Sequence, residues 1–115
     1  MLYAMLVYNN QEIESNETPE ERETTMAAHM AFIGEMQQRQ VMRGGEELRP
    51  AAVATTVRVR GGEILKSDGP YAETKEQLGG FYLLECADLE EAVACAAKIP
   101  TAMHGAIEIR PLIAF

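Results

Sequence analysis

The fold is decided by residues 53–67, which read VATTVRVRGGEILKS. Residues 53–60 are rich in Thr and Val and alternate in polarity, and this period of two predicts a strand. Gly61-Gly62 then offers a two-residue turn, because glycine tolerates the positive φ angles that such a turn needs. Residues 63–67 are expected to return as a second strand. The segment therefore predicts a β-hairpin in the middle of the chain.

A helix is predicted on each side of this hairpin. Upstream, Thr18-Pro19-Glu20-Glu21 combines a capping threonine, a proline suited to the first helical turn and a glutamate that completes a capping box. Apolar side chains then recur every three or four residues as far as about Arg39, and Gly44-Gly45 lies beyond the predicted helix end. Downstream, Asp88 repeats the capping pattern before an apolar stripe that ends ahead of Pro100.

Three further segments are predicted as strands. Residues 2–8, 78–86 and 106–113 are apolar runs bounded by turn or helix signals. The elements then follow in the order strand, helix, strands, helix, strand. This order predicts an α+β fold, namely a ferredoxin-like βαββαβ unit with an elaborated central hairpin, in a single domain that spans residues 1–115.

The outer strands also carry a signal about assembly. Residues 2–8 and 78–86 are apolar at both odd and even positions, so both faces of these strands favour burial. The helices of a ferredoxin-like unit cover only one face of its sheet. We therefore expect a homodimer in which the uncovered face packs on a second copy, since burying several large side chains there contributes on the order of 10 kcal/mol.

The composition disfavours several classes of function. Acidic residues outnumber basic ones 18 to 10, and the net charge of -8 disfavours binding to nucleic acid or to an anionic membrane surface. The apolar N-terminal run ends at Tyr8 and has no basic leader, so neither a signal peptide nor a membrane span is expected. These features predict a cytoplasmic location.

No metal site or cofactor is predicted. Cys86 and Cys95 lack CxxC spacing and have no histidine at ligand spacing, so they are expected to be buried thiols. The glycine pairs that begin at Gly44, Gly61 and Gly79 match neither the P-loop nor the dinucleotide-binding fingerprint. The last pair enters a strand, which instead predicts a bulge or a close approach of another backbone.

The densest functional signal is residues 67–81, which read SDGPYAETKEQLGGF. Together with residues 54–60, ATTVRVR, and residues 108–111, EIRP, this stretch resembles the DGPF subgroup of the YCII-related proteins over nearly the whole chain. The resemblance implies a ferredoxin-like fold that dimerises sheet to sheet, a dimeric α/β-barrel-type assembly, in a bacterial cytoplasmic protein with a cleft beside the sheet. Tyr71 departs from the signature, which usually has Phe at this position.

The same resemblance implies a chemistry and a partner. Some YCII-related proteins are associated with a His and an Asp that act as an acid/base pair, and one relative removes chloride from a chlorinated hydroxyquinol. Members of the subgroup often accompany extracytoplasmic-function sigma factors, which makes a sigma factor a candidate partner. The matching positions in this sequence are His29 and Asp68, so the resemblance implies that these two residues form the catalytic pair.

The residues themselves leave two interpretations open. His29 shares a helix face with Met26, Ile33 and Met36, and it is expected to point toward the sheet. It is either a core histidine that bonds a backbone carbonyl, or a ring held by a carboxylate at one nitrogen while the other transfers a proton. Asp68 precedes a Gly-Pro pair, and an aspartate in this position commonly accepts a hydrogen bond from the backbone of its own turn. That role does not exclude catalysis.

The candidates for ligand binding lie in or near the same loop, and they are Arg58, Gly69, Pro70, Tyr71 and Lys75. Arg58 suits a carboxylate or phosphate, and the alternative is a solvated face or an ion pair with a glutamate. Lys75 carries the same ambiguity. Gly69 and Pro70 would fix the turn and allow close approach of a ligand. We expect the loop to be ordered and to line a cleft, with Asp68 partly buried.

The sequence supports more than one function. The first is a small-molecule enzyme of the lyase or hydrolase type, in which His29 is the general acid or base and Asp68 orients it. The second is a non-catalytic regulatory module that binds a ligand or a sigma factor, and the third is a dimeric structural domain. A cleft that holds both residues within hydrogen-bond reach favours the enzyme, whereas a closed core around His29 favours the others.

Overall fold

The computed structural model describes residues 1–114, which form two antiparallel sheets and three α-helices. The helices are α1 (Gln11–Ser15), α2 (Pro19–Gln38) and α3 (Leu89–Ala96), and 3₁₀ turns span Ala51–Val53 and Pro100–Met103. Within this part of the chain, every helix is too short or too polar to span a membrane. The fold class is α+β, as predicted. The strands are β1 (Leu2–Asn10), β2 (Met42–Glu47), β3 (Thr55–Arg60), β4 (Glu63–Asp68), β5 (Glu76–Glu85) and β6 (Ala106–Pro111).

Four strands form the main sheet in the order β2-β5-β1-β6, with each neighbouring pair antiparallel. When α1 and the strands β3 and β4 are set aside, the chain order is β1, α2, β2, β5, α3, β6. This order is consistent with the predicted ferredoxin-like βαββαβ unit. Strand β1 lies in the interior of the sheet, which suits its apolar side chains on both faces.

The core lies between one face of the main sheet and the helices α2 and α3. Its fully buried side chains include Met5 and Leu84 from the sheet, Met36 from α2 and Cys95 from α3. Full burial of a Met or Leu side chain stabilises a fold by about 1.5–3 kcal/mol. Both cysteines of the chain are free and buried, as the sequence predicted.

The opposite face of the main sheet carries a second set of apolar side chains, which we call the open face. Because Ala4 pairs with Leu83 and Leu6 pairs with Phe81, these four residues point to the same side of the sheet. Ala4 is buried in the single chain, and the other three are half-buried. Strands β1 and β5 therefore carry apolar side chains on both faces of the sheet, as the sequence predicted.

Helix α2 begins where the sequence predicts. The Thr18 hydroxyl accepts a hydrogen bond from the Glu21 amide at 3.1 Å, and the Glu21 carboxylate accepts one from the Thr18 amide at 3.1 Å. This reciprocal capping box satisfies two amides that would otherwise lack partners in the first turn. Pro19 occupies the first helical position, and the helix ends at Gln38, one residue before the predicted Arg39.

Strand β2 corrects the sequence-based description. Gly44-Gly45, which the sequence predicts to lie beyond the helix end, is part of a strand that pairs with β5. Gly45 has a φ of 156°, and a Cβ there would lie 2.7 Å from the Phe81 carbonyl oxygen. Glycine therefore allows β2 and β5 to approach closely at this point. Strand propensity disfavours glycine, which is why the pattern did not predict this strand.

Strands β3 and β4 form the predicted hairpin, and we call residues 55–68 the arm. The φ angles of Gly61 and Gly62 at its turn are 56° and 80°, as a tight hairpin turn requires. The arm is a separate two-stranded sheet and does not join the main one. The sequence-based order counted the hairpin among the central strands, and this is wrong because β2 takes that place.

Candidate functional site

A cavity of about 350 Å³ lies beside helix α2, next to strands β2 and β5. Met26, Met30 and Ile33 of α2 contribute its apolar wall. Met26 and Met30 are 51% and 64% exposed, so the apolar stripe of α2 is not buried along its whole length. They border the cavity instead of packing into the core. The polar side chains of the cavity include His29, Tyr82, Thr101, His104, Arg22 and Glu47.

His29 is the centre of a short chain of polar contacts. Its Nδ1 lies 2.8 Å from the Tyr82 hydroxyl, and its Nε2 lies 3.3 Å from the Thr101 hydroxyl. The His29 and Tyr82 rings also stack, with centroids 6.2 Å apart. On its other side, Tyr82 packs against Phe32, with ring centroids 5.0 Å apart. The prediction that His29 points toward the sheet is thus confirmed, and its ring is held on both nitrogens.

The environment of this pair sets its protonation states. Burial lowers the pKa of His29 below its ordinary value of 6.5, the Glu47 carboxylate opposes this effect, and His104 adds to it. Burial also raises the pKa of Tyr82 above its ordinary value of 10.0, and Glu47 adds to the rise. The imidazole is therefore neutral and the phenol keeps its proton at neutral pH.

Two hydrogen-bond arrangements satisfy a neutral His29 ring. In one, the Tyr82 hydroxyl donates to Nδ1 and the Nε2–H group donates to Thr101. In the other, the Nδ1–H group donates to Tyr82 and the Thr101 hydroxyl donates to Nε2. Thr101 is only 3% exposed, whereas Tyr82 is half-buried and borders the cavity. A molecule in the cavity therefore reaches the imidazole on the Tyr82 side.

Acidic side chains border the mouth of the cavity. Glu14, Glu17 and Glu47 contribute to its lining. Arg22 forms an ion pair with Glu47 at 3.6 Å, and both side chains are more than half exposed. Exposed pairs of this kind contribute about 0–1 kcal/mol, so this pair shapes the rim more than it stabilises the fold. The cavity thus joins an apolar helix wall and a neutral imidazole to an acidic border.

The glycine pair Gly79-Gly80 brings the backbone close at the cavity, as predicted. The pairing of β1 with β5 shifts register between Val7 and Tyr8, opposite this pair, which is a bulge. A Cβ on Gly79 would collide with the Asn9 side chain, and one on Gly80 would lie 2.8 Å from the Glu46 carbonyl oxygen. Both glycines border the cavity. Because glycine has no side chain, the strands can approach each other closely at the floor of the cavity.

Asp68 lies at the end of the arm. It is exposed and pairs with Thr55 across the hairpin, so the expectation of partial burial is not met in the single chain. Within residues 1–114, neither a hydrogen bond nor an ion pair joins Asp68 to His29, whose ring nitrogens contact Tyr82 and Thr101. The structure does not bring the predicted pair into contact within one chain.

The predicted ligand-binding residues lie away from the lining of the His29 cavity. Arg58 is exposed in the middle of β3, and Tyr71 is 81% exposed. Gly69 has a φ of 93°; its amide donates to the Ala54 carbonyl at 2.7 Å. Pro70, which follows it, is half-buried. The Lys75 carbonyl accepts a hydrogen bond from the Gln11 amide at 2.8 Å, which ties the far end of the loop to α1.

Sequence reasoning missed Tyr82 and Thr101. Tyr82 stands in an apolar strand, where a tyrosine is most simply interpreted as part of the core. Thr101 follows Pro100 in a short turn and is buried, although threonine is usually exposed. The available signal was a buried polar residue near a helix histidine, but that signal requires knowing which turn packs against α2.

Cys86 offers no reactive thiolate. Burial raises the pKa of Cys86 to about 11, and neighbouring Cys95 adds to the rise. A thiol with so high a pKa stays protonated at neutral pH and is a poor nucleophile and metal ligand. Across the described part of the chain, no three His, Cys, Asp or Glu side chains are grouped to hold a metal ion.

Two comparisons relate the chain to known proteins. The sequence model of the YCII-related domain family matches residues 1–115. An uncharacterised protein of Rhizobium meliloti (strain 1021) is 41% identical over 119 aligned positions, which cover 97% of this chain and 92% of the relative. The family match includes both the cavity around His29 and the arm.

Proposed function

The chain belongs to the YCII-related family, and we propose that it is a small-molecule enzyme of the lyase or hydrolase type, with His29 as its proton-transfer group. The observation that carries this proposal is a neutral, half-buried imidazole at the edge of a 350 Å³ cavity, 2.8 Å from a phenol that borders the same space. Acid/base chemistry on a small molecule needs a base that is unprotonated at neutral pH and a concave apolar wall that holds the molecule.

The proton moves along the hydrogen bond between His29 and Tyr82. A substrate in the cavity gives its proton to the Tyr82 oxygen while the phenol proton passes to Nδ1, so the ring becomes imidazolium and Tyr82 stays neutral. The buried Thr101 hydroxyl accepts from Nε2–H and keeps the ring in position. The reverse transfer returns the proton to the product.

Asp68 is the second half of the proposal, in the role of orienting His29 and stabilising the imidazolium. Because Asp68 does not contact His29 within one chain, this role requires the arm of a second copy. The other proposed ligand-binding residues, Arg58, Gly69, Pro70, Tyr71 and Lys75, belong to the arm and the loop that follows it. In this proposal they bind the substrate together with Asp68, on the side of the substrate that does not contact α2.

The assembly in this proposal is a homodimer that packs through the open face. Leu6, Phe81 and Leu83 remain half-buried in the single chain, although their side chains are apolar. Packing two such sheets face to face would remove both surfaces from water, and the hydrophobic effect favours that outcome.

To test the proposal, small aromatic and carbonyl compounds, including 4-chlorocatechol, are added to the wild-type protein and to His29→Gln. We expect compounds that bind to shift the His29 ring resonances in NMR spectra, and any turnover to fall by about 100-fold or more in His29→Gln. Glu23→Gln, an exposed change on the same helix, is the matched control and should keep full turnover. Turnover that persists in His29→Gln would exclude this role.

One observation favours a second candidate, a non-catalytic ligand-binding or regulatory module. Both ring nitrogens of His29 already have hydrogen-bond partners, as in a histidine that serves structure alone. In this alternative an extracytoplasmic-function sigma factor is the proposed partner. Compounds that bind the cavity with no turnover in the wild type, and equal binding by His29→Gln, would favour the module over the enzyme.

A further inference from the structure

The arm stands away from the rest of the molecule. A compact chain of this length has a radius of gyration of about 13 Å, whereas the observed value is 15.9 Å. Among the described residues, strands β3 and β4 pair only with each other, and six residues of strand extend for about 20 Å. An isolated two-stranded hairpin is marginally stable in water. The arm therefore gains stability from any surface that covers it.

One face of the arm is apolar. Val57 and Val59 lie two residues apart on β3, and Ile64 is the register partner of Val59, so the three side chains share a face. They are 59%, 59% and 75% exposed in the single chain. Leu65 pairs with Arg58 on the opposite face. Lys66, the register partner of Val57, also lies on this face, and Asp68 lies at its end. The apolar face, defined by Val57, Val59 and Ile64, is therefore a contiguous patch beside a basic side chain, and it stays more than half exposed in the single chain.

The arm also differs from the rest of the chain in charge. It holds Arg58, Arg60 and Lys66, three of the 10 basic residues, against Glu63 and Asp68, two of the 18 acidic residues. The arm is thus net positive, although the chain as a whole carries a charge of -8. The remainder of the chain is consequently more acidic than the total charge indicates. A surface of that charge attracts the arm.

We propose that the arm is an interaction surface and that its occupant is a second copy of this chain. The apolar face packs on the partner beside the sheet-to-sheet contact, and Lys66, which lies on that same face as the register partner of Val57, lies over the partner's acidic surface. This inference rests on the homodimer of the proposed function. A second copy supplies both required features at once, namely uncovered apolar sheet surface and excess negative charge, and it is present at the same concentration as the arm.

Paired variants on the two faces of the arm test the inference. Ile64→Lys places a charge on the apolar face, and we expect the dimer dissociation constant, measured by analytical ultracentrifugation, to rise about tenfold or more. Leu65→Lys makes the same chemical change one residue further on, on the opposite face, and should change it by less than about threefold. Equal effects of the two variants would overturn the proposed contact.

A third variant separates this inference from the homodimer on which it rests. Leu6→Lys disrupts the open face and should also dissociate the dimer. If Leu6→Lys dissociates the dimer and Ile64→Lys does not, the homodimer stands and the arm contact is wrong. If the wild-type protein is a monomer at concentrations of about 100 μM, in the range where weak dimers form, both proposals fall.

Hydrogen exchange provides a measurement that needs no variant. Amides of residues 55–68 should exchange quickly in dilute protein and become protected as the dimer forms, because a lone hairpin opens readily. Amides in β1 report on the main sheet in the same sample. Arm amides that gain no protection in a sample shown to be dimeric would overturn the inference.

Discussion

The Tyr82 hydroxyl lies 2.8 Å from Nδ1 of His29, so a hydrogen bond joins the helix α2 to the strand β5 at the edge of the cavity. Burial moves the two pKa values apart, lowering that of His29 and raising that of Tyr82. A phenol that keeps its proton is a good donor to a neutral imidazole. In the arrangement in which Tyr82 donates to Nδ1, the contact therefore favours the neutral ring, and it joins two residues that lie 53 positions apart in sequence.

In the arrangement in which the Tyr82 hydroxyl donates to Nδ1, replacing Tyr82 with Phe should raise the pKa of His29 toward its ordinary value. The substitution removes the hydroxyl that donates to the neutral ring and leaves the stacked aromatic ring in place. The loss of one hydrogen bond should also lower the free energy of unfolding by about 1 kcal/mol. NMR titration of the ring resonances and urea denaturation measure the two effects. Tyr8→Phe, outside the cavity lining, is the control, and an equal pKa change in both variants would contradict the argument.

The stability of the protein should fall with pH below about 6.5 through His29. The folded-state pKa is lower than the unfolded value, so the unfolded chain takes up the proton first. The stabilising contribution is fully present above the unfolded pKa and is lost as pH falls from there toward the folded pKa. Urea denaturation between pH 5 and pH 8 in wild type and in His29→Gln should show a steeper loss in the wild type. Parallel curves would contradict this sign.

The hairpin and the helices α2 and α3 could be predicted because their signals are local. The turn at Gly61-Gly62 and the capping box at Thr18 require only neighbouring residues, and both are present. Strand β2 could not be predicted in the same way. Its glycines suit a close approach to β5, and that fit exists only after two distant segments have paired. Tertiary pairing therefore overrode a poor strand propensity.

The candidate site was partly predictable for a related reason. The helical spacing placed His29 on the correct side of α2, because that periodicity is also local. Its partners Tyr82 and Thr101 come from a strand and a turn that meet α2 only in the folded chain. The exposed positions of Met26 and Met30 show the limit of the pattern, since an apolar stripe does not distinguish a core from a cavity wall.

Two glycine-to-alanine substitutions should have opposite effects on stability. A Cβ on Gly80 would lie 2.8 Å from the Glu46 carbonyl oxygen, a backbone atom that cannot rotate away, so Gly80→Ala should cost about 1–3 kcal/mol. Gly34 lies within α2 with open space around the position of a Cβ, so Gly34→Ala should add about 0.5–1 kcal/mol. Thermal and urea unfolding measure both. A neutral Gly80→Ala would mean that β2 and β5 separate easily there.

Replacing Asp68 with Asn should lower the pKa of His29 in the dimer and leave it unchanged in the monomer. In the proposed assembly the Asp68 carboxylate comes from the second copy, and a nearby negative charge favours the imidazolium. When that charge is removed, burial still lowers the pKa of His29 and is no longer opposed by Asp68. NMR titration at protein concentrations above and below the dimer dissociation constant separates the two states.

Glu63→Gln is the control for Asp68→Asn, because it removes a negative charge from the same arm at the far end of β4. If the effect came from the total charge of the arm, both variants would shift the His29 pKa alike. A shift in Asp68→Asn alone, seen only where the protein is dimeric, would support a carboxylate that reaches the ring from the partner. An unchanged pKa at every concentration would remove Asp68 from the site while leaving the bond between His29 and Tyr82 in place, and the proton transfer would then depend on those two residues without a carboxylate.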